Sequence, residues 1–250
     1  VLTTVDMVVV APDDPLVLGM VDALNAEGFM TFGPNKAAAI IEGSKVFSKE
    51  LMKKYNIPTA GYEVFDDPHK AVEYIKKQNS YPTVVKADGL ALGKGVIIPE
   101  TLDEAVAGVK EIMEDKIFGD SGNNVVVEEF LTGPEVSVLS FTDGNVVIPM
   151  ISSMDHKRAN DNDEGLNTGG MGTVAPNPYY TEDIAKECME KIFKPPIAAM
   201  SAEAALSEFA VQQHGLHRRL RFSRILRDYN ALAECKSVAL DDCGIAVLRL

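Results

Sequence analysis

The sequence predicts an α+β protein in which short antiparallel strands alternate with helices that pack on them. Short apolar runs such as Val125–Val127 are bounded by turn residues, and amphipathic runs of helical period separate them. Asp143-Gly144 lies between two strand-like runs and is a strong hairpin signal. The first residues do not follow this antiparallel pattern. Strand Val5–Val10, with the polar loop and helix after it, is half of a βαβ unit.

The individual elements follow from the same patterns. Helices are expected over about residues 18–27, 36–55 with a break and cap at Gly43-Ser44, 68–78, 101–115 and 181–194. Strands are expected over about residues 5–10, 31–35, 60–65, 81–87, 95–98, 124–130, 135–141 and 145–150. Thr101 and Glu104 match a capping box. Residues 152–172 are polar and glycine-rich and are predicted to form a loop.

Composition limits the classes of function. The 250 residues are 46% hydrophobic, enough for a sizeable core, and the net charge of −13 argues against nucleic-acid binding. No apolar run approaches the ~18 residues of a membrane span, and no secretory leader is indicated. Three cysteines without CxxC spacing argue against a disulfide framework or zinc site. We therefore expect a cytoplasmic protein that acts on small molecules, without nucleic-acid or membrane partners.

The strongest chemical signal is a lysine followed by a glycine-rich turn within residues 81–98. Lys86 is the only charge in an otherwise apolar run, and a desolvated ammonium needs an anion such as phosphate. An ordinary edge lysine is the alternative. Val96 stands where a P-loop needs Ser or Thr, so a P-loop is disfavoured. Gly89, Gly93 and Gly95 let the backbone of the turn approach a ligand closely. Lys94 adds a second cation to the turn.

Two later segments are candidates for the remaining parts of a nucleotide and substrate site. The strand end Glu128–Leu131 could bind a purine edge through its main chain, with Glu135 as the ribose partner; solvated edge charges are the alternative. Asp155–Arg158 and Asn167–Gly172 are donor-rich and suit an anionic or carbonyl substrate, although a solvated turn has the same composition. No Ser/His/Asp or Cys/His arrangement is evident.

Asp13 and Asp14 follow the first strand. Ligands of open α/β sheets bind at the carboxyl ends of strands, which makes these carboxylates candidates for a substrate contact. Capping of the following helix explains either one equally well.

Taken in order, these segments resemble the ATP-grasp ligases and, within them, the phosphoribosylamine–glycine ligase (glycinamide ribonucleotide synthetase) family. The similarity covers about residues 5–200, and Val85–Val96 with Asn167–Gly172 are its most specific motifs. It implies an ATP-grasp fold of two α+β subdomains after the remnant of a Rossmann-like α/β domain. The implied divisions are a remnant at 1–35, an ATP-grasp domain at 36–202 with its lid subdomain at about 60–131, and an atypical tail at 203–250.

The resemblance also implies a reaction and residue roles. ATP would phosphorylate glycine, and 5-phosphoribosylamine would attack the glycyl phosphate to give glycinamide ribonucleotide in de novo purine biosynthesis. Mg²⁺ or Mn²⁺ would accompany ATP. The implied catalytic residues are Lys86, Asp155 and Arg158. The implied ATP contacts are Lys45, Lys86, Gly89, Gly93, Lys94, Gly95, Glu128, Glu129, Phe130, Leu131 and Glu135. The implied substrate contacts are Asp13, Asp14, Asp155, Lys157, Arg158, Asn167, Thr168, Gly169 and Gly170.

The chain departs from the family at both ends. The family's first glycine-rich βα turn would precede residue 1. In the family, later strands carry a Glu-x-Asn motif that holds the metal ion, and residues 204–250 do not follow that pattern. Asp228-Tyr-Asn230 matches the motif only weakly. The sequence therefore leaves the metal ligands unknown. Six of the seven arginines lie in residues 201–250, and 16 of the 17 lysines precede them. We hypothesise that the tail is a frameshifted or fused reading, which sequencing of the coding DNA tests.

These departures leave alternatives open. We expect weak ATP binding and little turnover from this chain. Another ATP-grasp carboxylate–amine ligase, a D-alanine-type ligase or a carboxylase has the same general motifs, but Asp155–Arg158 with Asn167–Gly172 favours the glycine ligase. A non-catalytic nucleotide-binding fragment is the rival from another class.

Overall fold

A computed structural model describes residues 5, 7–91, 95–161 and 164–203. Its helices are α1 (Asp13–Leu18), α2 (Met20–Ala26), α3 (Lys36–Gly43), α4 (Lys45–Lys54), α5 (Pro68–Gln78), α6 (Leu102–Met113), α7 (Glu182–Cys188) and α8 (Lys194–Ala202). Its strands are β1 (Val8–Val9), β2 (Thr31–Phe32), β3 (Tyr62–Phe65), β4 (Thr83–Ala87), β5 (Val96–Ile97), β6 (Val125–Glu129), β7 (Ser140–Thr142), β8 (Val147–Pro149), β9 (Met154–Asn160) and β10 (Glu164–Val174). A 3₁₀ turn at Gly119–Asn123 precedes β6, and a π turn at Met189–Phe193 joins α7 to α8.

The largest sheet is antiparallel and has the order β3-β6-β4-β5. Successive side chains of a strand point to opposite faces, so Val85 and Ala87 share one face with their partners Val127 and Val125. This face packs on α5 and α6 to form the main core, where Ile112 is 1% exposed. The amphipathic pattern of both helices supplies the apolar side that covers the sheet.

The opposite face of the same sheet carries the chemistry. Lys86 pairs with Val126, and Val84 pairs with Glu128, so two charged side chains alternate there with two valines. Helix α4 lies beside this face, because the Lys49 ammonium is 5.4 Å from the ring centroid of Tyr62 on β3. The sheet is therefore a two-sided element, apolar toward α5 and α6 and charged toward α4.

The remaining described residues form smaller units. Strands β1 and β2 pair in parallel, and Val10, Leu16, Val21 and Ala39 form a small core around them. Strands β7 and β8 form the hairpin predicted at Asp143-Gly144, where the Asp143 carboxylate accepts hydrogen bonds from two backbone N–H groups. Helix α8 packs on α3 and α4 through Ala199 and Met200.

The structure confirms most helices and corrects several boundaries. The break at Gly43-Ser44 is present, and Ser44 caps α4. Thr101 caps α6, but the Glu104 carboxylate accepts from Glu100 N–H and not from the cap residue. The helix expected at 18–27 starts earlier and divides at Gly19, whose φ of +94° ends α1. The last expected helix continues through α8 to Ala202.

The loop predicted at 152–172 is wrong, because β9 and β10 form an antiparallel pair over most of it. Two register shifts, between Glu164 and Asn167 and between Asn167 and Gly172, absorb the glycine-rich sequence without ending the pairing. The strands expected at 5–10 and 135–141 shorten to Val8–Val9 and Ser140–Thr142. Polar composition alone did not distinguish a bulged hairpin from a loop.

Some expectations fall outside the described part of the chain. Asp228-Tyr-Asn230 and the rest of the tail after residue 203 are among them. Within the residues that are described, no helix combines the length and the apolar character needed to cross a bilayer.

Candidate functional site

Lys86 and Glu128 meet on the charged face of the sheet. The antiparallel register places Lys86 opposite Val126, so Glu128 is its diagonal neighbour on the same face. The Lys86 Nζ atom lies 3.5 Å from Glu128 Oε1, and the two residues are 8% and 6% exposed. The edge-lysine alternative is therefore wrong for Lys86, which is a buried cation.

Lys49 is a third buried charge in this cluster, and it was not predicted from the sequence. Its Nζ atom lies 3.0 Å from Glu128 Oε2 and donates to Thr59 Oγ1 at 2.7 Å. Lys49 follows the predicted Lys45 by four residues, a spacing that puts both side chains on one side of α4. The four-residue spacing is the sequence signal that could have identified Lys49. Two lysines buried on one helix face need an anion between them and the core.

Asp88 joins the glycine turn to the start of α4. Its carboxylate accepts from Ser44 Oγ at 3.0 Å, from Val46 N–H at 3.2 Å and from Gly89 N–H at 3.0 Å. A carboxylate is favourable at the amino end of a helix, where backbone N–H groups lack helical partners. Asp88 lies within the Val85–Val96 motif, but its role was not predicted from the sequence.

Lys45 reaches the same turn from the helix side. Its Nζ atom donates to Gly89 O at 2.6 Å, and the residue is 8% exposed. Gly89 has a φ of +88°, and a Cβ there would lie 2.6 Å from Ser121 Oγ. Only glycine fits both the backbone conformation and the space at this position. The structure thus brings Lys45 to the turn that follows Lys86.

Replacing Asp88 by alanine is expected to lower the free energy of unfolding by about 1–2 kcal/mol, because three hydrogen-bond donors lose their acceptor. Urea denaturation monitored by circular dichroism measures the change. The matched control is Asp115→Ala, which removes an exposed carboxylate paired with Lys110 and should leave the midpoint unchanged. Equal midpoints for Asp88→Ala and the control would contradict this role for Asp88.

The end of β6 offers main-chain groups next to this cluster. Glu128 O accepts from Thr83 Oγ1 at 3.0 Å, and Glu129 N–H donates to Gly61 O at 2.9 Å. The Glu129 carboxylate accepts from Gly61 N–H at 2.7 Å. The protein thus holds Glu128 O and Glu129 N–H itself. Phe130 and Leu131, which are 39% and 65% exposed, continue the strand into solvent.

Tyr62 supports the cluster from β3. Its hydroxyl donates to Lys49 O at 2.9 Å and lies 3.1 Å from Glu50 Oε1. Burial, together with the neighbouring Glu50 carboxylate, raises the pKa of the Tyr62 phenol to about 12. The ring therefore stays neutral at physiological pH and remains a hydrogen-bond donor beside Lys49.

A second polar cluster lies on and beside the β9–β10 hairpin. Lys157 Nζ is 3.2 Å from the Glu135 carboxylate, and Lys157 O accepts from Thr168 Oγ1 at 2.8 Å. Buried Asn177, another residue missed from the sequence, donates to Glu135 O at 2.8 Å. These contacts hold the segment containing Glu135 against the hairpin.

The other predicted substrate residues share this hairpin. Arg158 is opposite Asn167 in the register and donates from Nη1 to Gly165 O at 2.6 Å. Asp155 Oδ1 lies 3.4 Å from the point where a Cβ of Gly170 would be, so it borders the glycine segment. The structure therefore gathers several predicted substrate contacts on one element, although sequence reasoning had predicted a loop there.

Other predicted residues lie on the first helix or outside the described part of the chain. Asp13 and Asp14 lie in the first turn of α1, where Pro12 and not an aspartate is the cap residue. Gly93 and Lys94 lie outside the described residues, as do the side chain of Asn167 and the surroundings of Gly169.

The described residues do not provide an evident metal site. Within residues 5–203, with the gaps given above, no group of three or more His, Cys, Asp or Glu side chains is arranged to hold a metal ion. Mg²⁺ and Mn²⁺ prefer oxygen ligands, which the Asp and Glu carboxylates of such a group would supply. The lysine cluster suits an anionic ligand and is not a cation site.

The sheet and its buried lysines define an ATP-grasp ligase fold. A biotin carboxylase from Campylobacter jejuni has a TM-score of 0.61 at 15% identity, over 81% of this chain and 43% of that one. A phosphoribosylamine–glycine ligase from Thermotoga maritima has a TM-score of 0.64 at 39% identity, over 69% of this chain and 44% of that one. The first of these shares the fold alone.

The chain belongs to the phosphoribosylglycinamide synthetase family. Family models for its N domain and its ATP-grasp (A) domain match residues 2–42 and 43–209. A phosphoribosylamine–glycine ligase from Fusobacterium nucleatum is 48% identical over 199 residues, which are 80% of this chain and 46% of that protein. The chain thus spans less than half the length of this curated relative.

Proposed function

We propose that this chain contains the nucleotide-binding part of an ATP-dependent ligase that joins glycine to 5-phosphoribosylamine. The products are glycinamide ribonucleotide, ADP and phosphate, as in de novo purine biosynthesis. Membership of the family and the phosphoribosylamine–glycine ligases named among its relatives support this reaction. We also place the protein in the cytoplasm, a reducing compartment that suits the three widely spaced cysteines of its sequence.

The observation that carries the proposal is the convergence of buried lysines on the glycine turn. Lys86 and Lys45 are each 8% exposed, and Lys45 contacts Gly89 directly. Buried ammonium groups beside a close-approach backbone suit a polyphosphate. We assign the ATP phosphates to Lys45 and Lys86, and we propose that the segment from Gly89 to Gly95, with Lys94, closes over them.

The end of β6 is the proposed adenine contact. In an extended strand, the carbonyl of one residue and the N–H of the residue two further on point the same way. Because Thr83 and Gly61 already hold Glu128 O and Glu129 N–H, we assign the adenine edge to Glu129 O and Leu131 N–H. The proposed adenine contact within Glu128–Leu131 is thus limited to two main-chain groups. The Glu129 carboxylate keeps its hydrogen bond from Gly61 N–H.

Glu135 and the β9–β10 hairpin are the proposed ribose and substrate contacts. The 3.2 Å ion pair of Glu135 with Lys157 supports adjoining subsites for ATP and for the substrates. Adjoining subsites are needed for direct transfer of a phosphoryl group to bound glycine. The residues assigned to glycine and phosphoribosylamine are Asp155, Lys157, Arg158, Asn167, Thr168, Gly169 and Gly170. Asp13 or Asp14 is the proposed contact to the sugar of phosphoribosylamine.

The proposed chemistry needs no protein nucleophile. A glycine carboxylate oxygen attacks the γ-phosphorus of ATP, and the bond to the β–γ bridging oxygen breaks to release ADP. The amine of phosphoribosylamine then attacks the acyl carbon, phosphate leaves, and the amine loses a proton. Lys86 and Arg158 would neutralise developing charge, and Asp155 would orient the amine. Because the described residues supply no metal-ligand set, no step is assigned to Mg²⁺ or Mn²⁺.

A non-catalytic nucleotide-binding fragment is the second candidate. The lack of a metal-ligand group among the described residues favours it. Isothermal titration with ATP and Mg²⁺, with and without glycine, separates the two candidates. A change in ATP affinity on adding glycine supports the ligase, whereas ATP binding that is indifferent to glycine and Mg²⁺ supports the fragment.

Phosphate release measured after addition of ATP, glycine and phosphoribosylamine tests the reaction itself. We expect slow release that requires both substrates. Release that is independent of glycine, or of phosphoribosylamine after the first turnover, would contradict the proposed ligation.

A further inference from the structure

Lys49 has no assigned part in nucleotide binding, although it is as buried as Lys45 and Lys86, which have one. Its side chain is 6% exposed and faces the 5% exposed Glu128 side chain at 3.0 Å. Replacing buried ion pairs with well-packed apolar residues is often neutral or stabilising. A buried ammonium at this position therefore suggests a role beyond holding the fold.

The two lysines share Glu128 unequally. Lys49 contacts Oε2 at 3.0 Å, close to the ideal length of a charge-assisted hydrogen bond, whereas Lys86 is 3.5 Å from Oε1. Oε1 is buried and accepts no hydrogen bond among the described residues. The carboxylate is thus held mainly from the α4 side.

Lys49 is itself fixed at several points. Thr59 Oγ1 accepts from its ammonium at 2.7 Å, and the Tyr62 ring lies under it at 5.4 Å. The Tyr62 hydroxyl also donates to Lys49 O, which ties the helix backbone to β3. A fixed cation orients the Glu128 carboxylate, and the sheet register fixes where that carboxylate stands relative to Lys86.

We infer that Lys49 is a positioning residue for Lys86: it holds the Glu128 carboxylate and so limits the pairing of that carboxylate with the Lys86 ammonium. Lys86 then keeps its charge directed to a nucleotide phosphate. Without Lys49, Glu128 would pair with Lys86 alone and compete with the phosphate. The inference rests on the proposed function only in naming ATP as the source of that phosphate.

The test compares four forms of the full chain with the original: Lys49→Met, Lys49→Arg, Glu128→Gln and the double variant Lys49→Met/Glu128→Gln. Isothermal titration with ATP and with adenosine separates phosphate binding from base binding. Lys49→Met should weaken ATP binding by about tenfold, the scale of one charged hydrogen bond, and change adenosine binding by less than about threefold. Lys49→Arg should bind ATP like the original chain.

The double variant is the decisive comparison. Removing the competing carboxylate should restore ATP affinity to within about threefold of the original chain, since Lys86 no longer has a carboxylate that excludes phosphate. Equal losses for ATP and adenosine, or no recovery in the double variant, would overturn the inference and indicate a packing role. Lys54→Met is the matched control, because Lys54 lies on the same helix in an exposed pair with Glu203 and should bind ATP normally.

A second readout does not require a nucleotide. Limiting acetic anhydride labels lysine amines, and mass spectrometry reports the labelled fraction of Lys86. Lys49→Met should reduce that fraction at least about threefold, because a Lys86 amine held in a closer pair with Glu128 is less available to react. If the chain binds no ATP while the labelling falls, the proposed function fails and the positioning role stands. If the labelling is unchanged, the positioning role fails, whatever the chain binds.

Discussion

Replacing Lys86 by methionine is expected to weaken ATP binding about 10- to 100-fold, the loss of one charge-assisted contact worth about 1.5–3 kcal/mol. The methionine side chain fills the space of the lysine stem on the buried sheet face, so the fold should persist. Glu128 keeps Lys49 as its partner in this variant. Isothermal titration of both chains with ATP measures the effect.

The control for Lys86→Met is Lys110→Met, which removes an exposed lysine paired with Asp115 on α6. Its ATP affinity should equal that of the original chain. ATP binding that Lys86→Met leaves within about twofold, a difference under 0.5 kcal/mol, would show that the buried lysine does not contact the phosphates.

Replacing Glu128 by glutamine is expected to lower the free energy of unfolding by about 3–5 kcal/mol, because two buried ammonium groups lose their shared carboxylate. ATP should stabilise this variant more than it stabilises the original chain, since a polyanion partly replaces the missing charge. Urea denaturation with and without ATP measures both effects.

The matched control for Glu128→Gln is Glu187→Gln, which removes a carboxylate from an exposed i,i+4 pair with Lys191. This control should unfold at the original urea concentration. A Glu128→Gln chain as stable as the control would contradict the view that the three buried charges depend on one another.

The sequence was sufficient where local signals agreed with one another. Helix α5, the Ser44 cap and the Asp143-Gly144 hairpin each have a local cause, a periodicity or a turn residue, and the structure confirms them. The β9–β10 pair was missed because register shifts let a glycine-rich segment pair as strands, and that outcome depends on long-range packing.

The site shows the same division. Lys86 was predicted because it interrupts an apolar strand, which is a local signal. Lys49 and Asp88 were missed because their significance depends on partners distant in sequence, Glu128 on β6 for one and Ser44 at the start of α4 for the other. Strand register decides which charges share a face, and sequence patterns seldom establish register between distant strands.

We propose that ATP binds between the glycine turn and the end of β6. An amide shift map of the isotopically labelled chain, titrated with ATP, locates the bound nucleotide. We expect the largest shifts at the N–H groups of Gly89, Gly95 and Leu131, with little change along β1 and β2. Shifts that are absent at saturating ATP, or that lie on β1 and β2 and spare the glycine turn, would contradict it.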